Sequence, residues 1–373
     1  MRSQIFPLVL LACGAVAVHA QSDDAVRINQ IQVIGTHNSY HAGLGPNEMK
    51  FLAQKNPKAM RALDYRHGSL TSQLDGGIRQ IELDIYSDAK GGLFAHPAIA
   101  GLVKKAGLPA DPDFDPQHLM DKPGFKVMHV EDIDVRSNCE PFTACLSEVR
   151  TWSHAHPAHV PIFILVETKE GEPRSNPGYN AVHPEPFTAA VFDALDQEIL
   201  SVFPREEIVL PDEVRGSYAT LDEAVHHGNW PTLAQARGKV IFLLDQRKVS
   251  PIYTDGHPAL RGRVLFTNAE PGTPDAAFTE QNDGTVETID GLVRQGYLVR
   301  TRTDADTEQA RNNDTHRRDA VLASGAQMLS TDYPSFEPAS TGFVVELPGK
   351  EAARCNPVLK PNACTDGSLE SAH

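Results

Sequence analysis

Apolar positions fall into short runs separated by longer stretches of mixed character. The runs are Ile31–Gly35 (IQVIG), Gln80–Tyr86 (QIELDIY), Phe125–Val130 (FKVMHV), Pro161–Thr168 (PIFILVET), Lys239–Asp245 (KVIFLLD), Arg263–Ala269 (RVLFTNA), Tyr297–Thr303 (YLVRTRT) and Gln327–Tyr333 (QMLSTDY). Several are almost continuously apolar, the pattern of parallel strands buried on both faces. Between them Asn47–Leu63, Thr143–Ala155, Pro186–Phe203, Thr232–Ala236 and Thr315–Ser324 read as helices. Eight strands with intervening helices predict a (β/α)8 barrel, irregular where Gln246–Gly262 is too short for a full helix. An open doubly wound sheet is the alternative, disfavoured because no glycine-rich dinucleotide turn follows any strand. Two long insertions, Ser87–Gly124 and Glu170–Pro186, have the length of functional lids, and no internal repeat is visible.

The first twenty residues do not belong to this pattern. Arg2 followed by the apolar run IFPLVLLACGAVAV and by VHA before Gln21 has the form of a secretory signal cleaved after Ala20. The run is too short and wrongly flanked for a membrane span. Lipoprotein processing at Cys13 is the rival reading, weakened by how early that cysteine lies. Residues 21–373 are then expected to form one catalytic domain, with the tail after Pro334 wrapping the barrel. The net charge of −15 becomes −16 without the leader, which argues against a broad nucleic-acid footprint. Cys139, Cys145, Cys355 and Cys364 remain, an even number suited to disulfides in an exported protein. Proximity favours Cys139–Cys145 and Cys355–Cys364; zinc is the alternative, but neither pair has CxxC spacing.

In such a barrel the chemistry lies at the C-terminal ends of the strands. Those ends carry His37 and Asn38, Glu82 and Asp84, His129, Glu167 and Lys169, then Asp245, Arg300, Arg302 and Asp332. Glu82 and Asp84 are two apart and share one face of a strand. Carboxylates sharing one mouth repel unless a cation or proton intervenes. With Glu167 and the amide oxygen of Asn38 they make four oxygen ligands, a hard-cation set suited to Ca2+ or Mg2+ rather than zinc. Taken singly, each acid is equally a structural partner of Lys169, Arg79 or Arg302. His37 and His129 lie near this set on different strands, placed to stabilise or protonate a phosphodiester. Most of the 16 histidines, such as His154 or His226, carry no such context.

At these residues the sequence resembles a known family. IGTHNSY (34–40) and LTSQLDGGIRQIELDIY (70–86) are similar to the X region of phosphatidylinositol-specific phospholipases C, most of all the secreted bacterial Ca2+-dependent branch. FKVMHVEDIDVRSNC, HVPIFILVETKE, VRTRTDADT and ARNNDTHRRDAVLASGAQMLSTDYP extend the resemblance over about Ile28 to Pro334. It implies that His37 is the first catalytic histidine and that Asn38, Glu82, Asp84 and Glu167 hold Ca2+, with Mg2+ the lesser candidate. His129 is the second histidine by strand context, ahead of His96 in the Ser87–Gly124 insertion.

The implied reaction is attack of the inositol 2-hydroxyl on phosphorus, with Glu82 or His37 as base and His129 protonating the departing diacylglycerol. Lys169, Arg300 and Arg302 are candidates for binding phosphate or headgroup oxygens. The implied partner is a phospholipid at a membrane surface, touched peripherally by a monomer; Leu93–Leu108 is either a lipid-touching lid or a loop packed on the rim. Ser39, Tyr40 and His41 are expected to serve the loop's own hydrogen bonds. Three rivals remain: a glycerophosphodiester phosphodiesterase, a sphingomyelinase-D-like enzyme preferring Mg2+, and a non-catalytic Ca2+- or headgroup-binding protein. The first usually has Arg-Gly after its histidine, where this chain has Asn-Ser, and the last has no need of His129.

Overall fold

The computed structural model describes residues 23–171 and 178–370, the side chain of Ser368 apart. The signal segment and the middle of the Glu170–Pro186 insertion lie outside the described residues. Ten strands are present: β1 (Ile31–Thr36), β2 (Gln80–Tyr86), β3 (Lys126–Val127), β4 (Ile162–Thr168), β5 (Val240–Leu244), β6 (Phe266–Thr267), β7 (Phe278–Glu280), β8 (Leu298–Arg302), β9 (Met328–Thr331) and β10 (Ala353–Cys355). Eight of them pair in the order β6-β5-β4-β2-β1-β9-β8-β7. A parallel bridge between Asn268 and Phe278 joins the two ends. There the Asn268 side chain replaces a missing ladder bond, its Oδ1 accepting from Glu280 N at 3.1 Å. The result is an irregular (β/α)8 barrel whose strand bodies are buried almost throughout.

One seam is strained open. β1 and β2 share only the register pair Gly35 and Gln80. At the N-terminal end β10 pairs antiparallel with β1, and at the C-terminal end β3 pairs antiparallel with β2. Gly35 is required at the crossing, because a Cβ there would lie 2.0 Å from Gln80 Oε1. The tail that delivers β10 is tied by the Cys355–Cys364 disulfide. Beyond it, Glu370 caps the barrel floor: it pairs with buried Arg79 and accepts from Val160 N at 2.7 Å.

Two expectations are corrected here. Phe125–Val130 is not a barrel strand; only Lys126–Val127 is extended, in antiparallel pairing with Ile85 and Tyr86. The eighth barrel strand is instead β7, three residues long. The expected helix Asn47–Leu63 is two helices, Pro46–Lys55 and Pro57–Ala62, because Pro57 cannot donate to the first. Asn56 caps the second, its side chain accepting from Ala59 N. Other helices follow the pattern closely. Phe142–Ala155 buries Phe142, Cys145, Leu146, Val149 and Trp152, one apolar stripe of helical period, with Cys145 bonded to Cys139. Within Ser87–Gly124 the helix Ala98–Lys105 packs against Pro46–Lys55 through Ile99, Val103, Phe51 and Leu52. Among the described residues no helix is long and apolar enough to cross a membrane.

Candidate active site

The β2–β4 register pairs Glu82 with Leu165 and Asp84 with Glu167, so two neighbouring strands bring their acids to one level. Carboxylate oxygens of Glu82, Asp84 and Glu167 lie within 4.8 Å of one another. Asn38 follows β1 with φ +45°, a left-handed turn that asparagine tolerates, and its side chain is fully buried. Its Nδ2 donates to Tyr65 Oη at 2.7 Å, while its Oδ1 has no hydrogen-bond donor. Neither oxygen of buried Asp84 accepts a hydrogen bond; the Lys169 ammonium lies 2.9 Å from Oδ2, outside hydrogen-bond alignment. Lys169 also pairs with Glu167 at 3.1 Å.

Burial and mutual repulsion raise Glu82 and Glu167. Burial foremost, with the neighbouring charge of Asp84, pushes Glu82 up to about 7 even though Arg300 and His37 oppose it. Glu167 is raised by burial and by Asp84. Asp245 and Glu280, also at the mouth, are each pushed up to about 8, by burial and then by Glu167 and Asp245 respectively. Buried carboxylates gathered within 4.8 Å of one another are a donor set for a hard divalent cation. Glu82, Asp84 and Glu167, with the donor-free Asn38 Oδ1, fit a divalent cation such as Ca2+.

Two histidines flank the cluster, each oriented by a carboxylate. His37 Nδ1 meets Asp332 Oδ1 at 2.8 Å, and its Nε2 lies 3.9 Å from Glu82 Oε1. Burial disfavours the His37 imidazolium, but Asp332 and Glu82 outweigh it and raise the group to about 10. The main chain of His37 is fixed by His67, whose Nε2 is 3.0 Å from the His37 carbonyl oxygen while its Nδ1 meets Glu337. His129 Nδ1 meets Asp134 Oδ2 at 2.9 Å.

Other expected residues are placed as follows. Arg300 is buried with Glu82, Ser330 and Asn282, an internal strut as much as a ligand. Arg302 pairs with Asp283 at 2.9 Å on the exposed flank of β8. His96 is exposed and lines a separate cavity with Ile99, Asp111 and Arg136. His41 serves its own loop through its main chain, N donating to Asn38 O at 2.8 Å, but its side chain does not. It is fully buried and its Nε2 meets both oxygens of Asp134, at 2.9 and 3.0 Å. Ser39 does serve the loop, bonding Thr36 and accepting from Glu82 N.

Asp134 and Tyr65 were missed from sequence. Asp134 lies among three acids in EDID with nothing to single it out, and Tyr65 lies in a loop between helices, far from any strand end. Tyr65 nonetheless stacks near His37, His41 and His67, with ring centroids 5.9, 4.5 and 5.8 Å away.

Oriented imidazoles beside gathered carboxylates, at the mouth of a (β/α)8 barrel, suit acid–base cleavage of an anionic ester. The class is that of barrel phosphodiesterases. Within it the chain belongs to the Ca2+-dependent phosphoinositide phospholipase C family, whose model matches residues 26–357. The fold is shared with a calcium-dependent phosphoinositol-specific phospholipase C from Pseudomonas sp. in a myo-inositol complex. That likeness has 16% identity, covers 90% of this chain and 97% of the other, and has a TM-score of 0.53. A second crystal form of that protein gives 16% identity, 90% and 96% coverage, and a TM-score of 0.52. A Ca2+-dependent phosphatidylinositol-specific phospholipase C from Streptomyces antibioticus shows 20% identity over 83% of this chain and 95% of its own, with a TM-score of 0.49. No curated protein matches.

Proposed function

We propose that the protein cleaves phosphatidylinositol to diacylglycerol and a cyclic inositol phosphate in a Ca2+-dependent reaction. The observation that carries the proposal is the gathering of Glu82, Asp84 and Glu167 carboxylate oxygens within 4.8 Å of one another, with the donor-free Asn38 Oδ1 and two histidine–aspartate pairs. When bound by these four residues, Ca2+ supplies positive charge to the phosphodiester and acidifies the inositol 2-hydroxyl. Asp332 engages His37 Nδ1 and leaves Nε2 3.9 Å from Glu82, so that Glu82 or His37 takes the 2-hydroxyl proton. The 2-oxygen bonds to phosphorus, and the bond from phosphorus to the glycerol oxygen breaks. Asp134 engages His129 Nδ1, directing Nε2 to protonate the departing glycerol oxygen. Lys169, paired with Asp84 and Glu167, would bind a phosphate oxygen.

The two disulfides support action in an oxidising compartment, reached by export with loss of residues 1–20. The mature chain, residues 21–373, is proposed to act as one domain touching the membrane peripherally. The test is incubation of that chain with phosphatidylinositol or glycerophosphoinositol, with Ca2+ or with chelator. Diacylglycerol release only with Ca2+ is expected; cleavage of the soluble diester alone would overturn the proposal.

A further inference from the structure

A cavity of about 900 Å³ opens beside His129, outside the carboxylate cluster. Phe51, Leu63, Leu102 and Ile133 contribute its apolar surface, drawn from the Pro46–Lys55 helix, the end of the Pro57–Ala62 helix, the Ala98–Lys105 helix and the loop after β3. These side chains belong to a small hydrophobic cluster separate from the barrel core, in which Leu63, Leu102 and Ile133 are only partly covered. The cavity is thus a ready-made apolar trough lined by three helices that the barrel itself does not need.

Its polar lining is mostly engaged elsewhere. Asp132 caps Ala98 N and Val182 N, and Glu131 accepts from the Tyr86 hydroxyl. Lys55 and Lys58 stand exposed in the lining, and the helix that supplies Leu102 ends in Lys104 and Lys105. Four lysines thus stand along this edge, beside the acids Glu131, Asp132 and Asp306.

We infer that this trough holds the glycerol backbone and first acyl carbons of the substrate lipid, the part that leaves as diacylglycerol. The inference rests on the proposed reaction: His129 lines the trough, and His129 is the group that protonates the leaving oxygen. A leaving group that departs from His129 into an apolar cavity needs no other place to go. The volume lies in the range of sites that enclose a small ligand and has room for the start of an acyl chain.

The test uses monomeric dibutanoyl-, dihexanoyl- and dioctanoyl-phosphatidylinositol, each below its micelle concentration, with Ca2+. Full burial of a methylene favours binding about fourfold, so a trough open on one side gives about twofold per methylene. From dibutanoyl to dioctanoyl, kcat/KM is expected to rise by at least about tenfold. Leu63→Gln and Leu102→Gln should flatten that rise. Both should leave hydrolysis of inositol 1,2-cyclic phosphate, which has no acyl group, within twofold of the unaltered chain. A flat series with the unaltered chain overturns the inference without need of a variant. So does an acyl dependence seen only with vesicles, which would make the face a bilayer contact, or loss of cyclic phosphate hydrolysis in step with the lipid. Failure of the unaltered chain on both substrates would overturn the proposed reaction itself.

Discussion

Asp134 is the hub on which the second histidine depends, and Asp134→Ala should expose it. The carboxylate is fully buried and meets three ring-nitrogen contacts, two from His41 and one from His129. Burial alone would raise Asp134, but the His41 imidazolium and the hydrogen bonds from both histidines hold it well below the ordinary carboxylate range. Burial likewise disfavours the charge on His41, and Asp134 outweighs it, so His41 is raised above 6.5. Removing one partner of such a pair costs about 3–5 kcal/mol, because the other charge is left buried and alone. With an unfolding entropy of ~2.1 cal/mol/K per residue over 373 residues, that is a Tm drop of about 4–6 °C.

The pH dependence follows from the signs. Asp134, depressed, contributes stability above its unfolded value of 3.8 and loses it as pH falls. His41, raised, contributes fully below 6.5 and loses it as pH rises through its folded value. The difference between the two proteins should therefore be largest between pH 4 and 6.5. Thermal unfolding across pH measures it, beside kcat/KM for lipid, which should fall about 10²- to 10⁴-fold as His129 loses its orientation. A Tm change under 1 °C at pH 5.5, or unchanged kcat/KM, would refute the reasoning.

Four further outcomes are expected. His37→Ala and His129→Ala should each lower kcat/KM by several orders of magnitude without unfolding the barrel, whereas His96→Ala should stay near full activity; the reverse for His129 and His96 would move the assignment. By titration calorimetry, Asp84→Asn and Glu167→Gln should weaken Ca2+ binding at least about tenfold, and Lys169→Met should tighten it by removing the ammonium 2.9 Å from Asp84. Gly35→Ala should destabilise the barrel measurably in urea, since its methyl would meet Gln80 at 2.0 Å. Replacing Cys355 and Cys364 together by Ser should cost ~2–3 kcal/mol in the same assay, as expected for so short a closed loop.

The strand bodies were legible because burial on both faces leaves a continuous apolar run, as in QIELDIY and PIFILVET. β7 was not, since FTE has three residues and no run to detect, and its place in the count was filled by FKVMHV. That segment has strand-like residues but is split by its pairing: Lys126 and Val127 extend beside β2, and His129 lies past the strand on a loop. Asp134, itself held by buried His41, fixes the His129 ring there. The gathering of Glu82 and Asp84 was legible from their two-residue spacing and strand-end position. Strand-end position told nothing about Asp283, whose pairing with Arg302 depends on a loop. Contacts that depend on one loop meeting another, such as Tyr65 with Asn38 and His41, have no local signature at all.

The central claim is Ca2+-dependent attack by the inositol 2-hydroxyl on phosphorus. Phosphorus NMR of the reaction on phosphatidylinositol, beside its 2-deoxyinositol analogue, tests it most directly. The account predicts an inositol 1,2-cyclic phosphate resonance that grows with diacylglycerol, vanishes with chelator and never appears from the 2-deoxy lipid, which stays intact. Release of diacylglycerol from the 2-deoxy lipid, or cleavage undiminished by chelator, would contradict it.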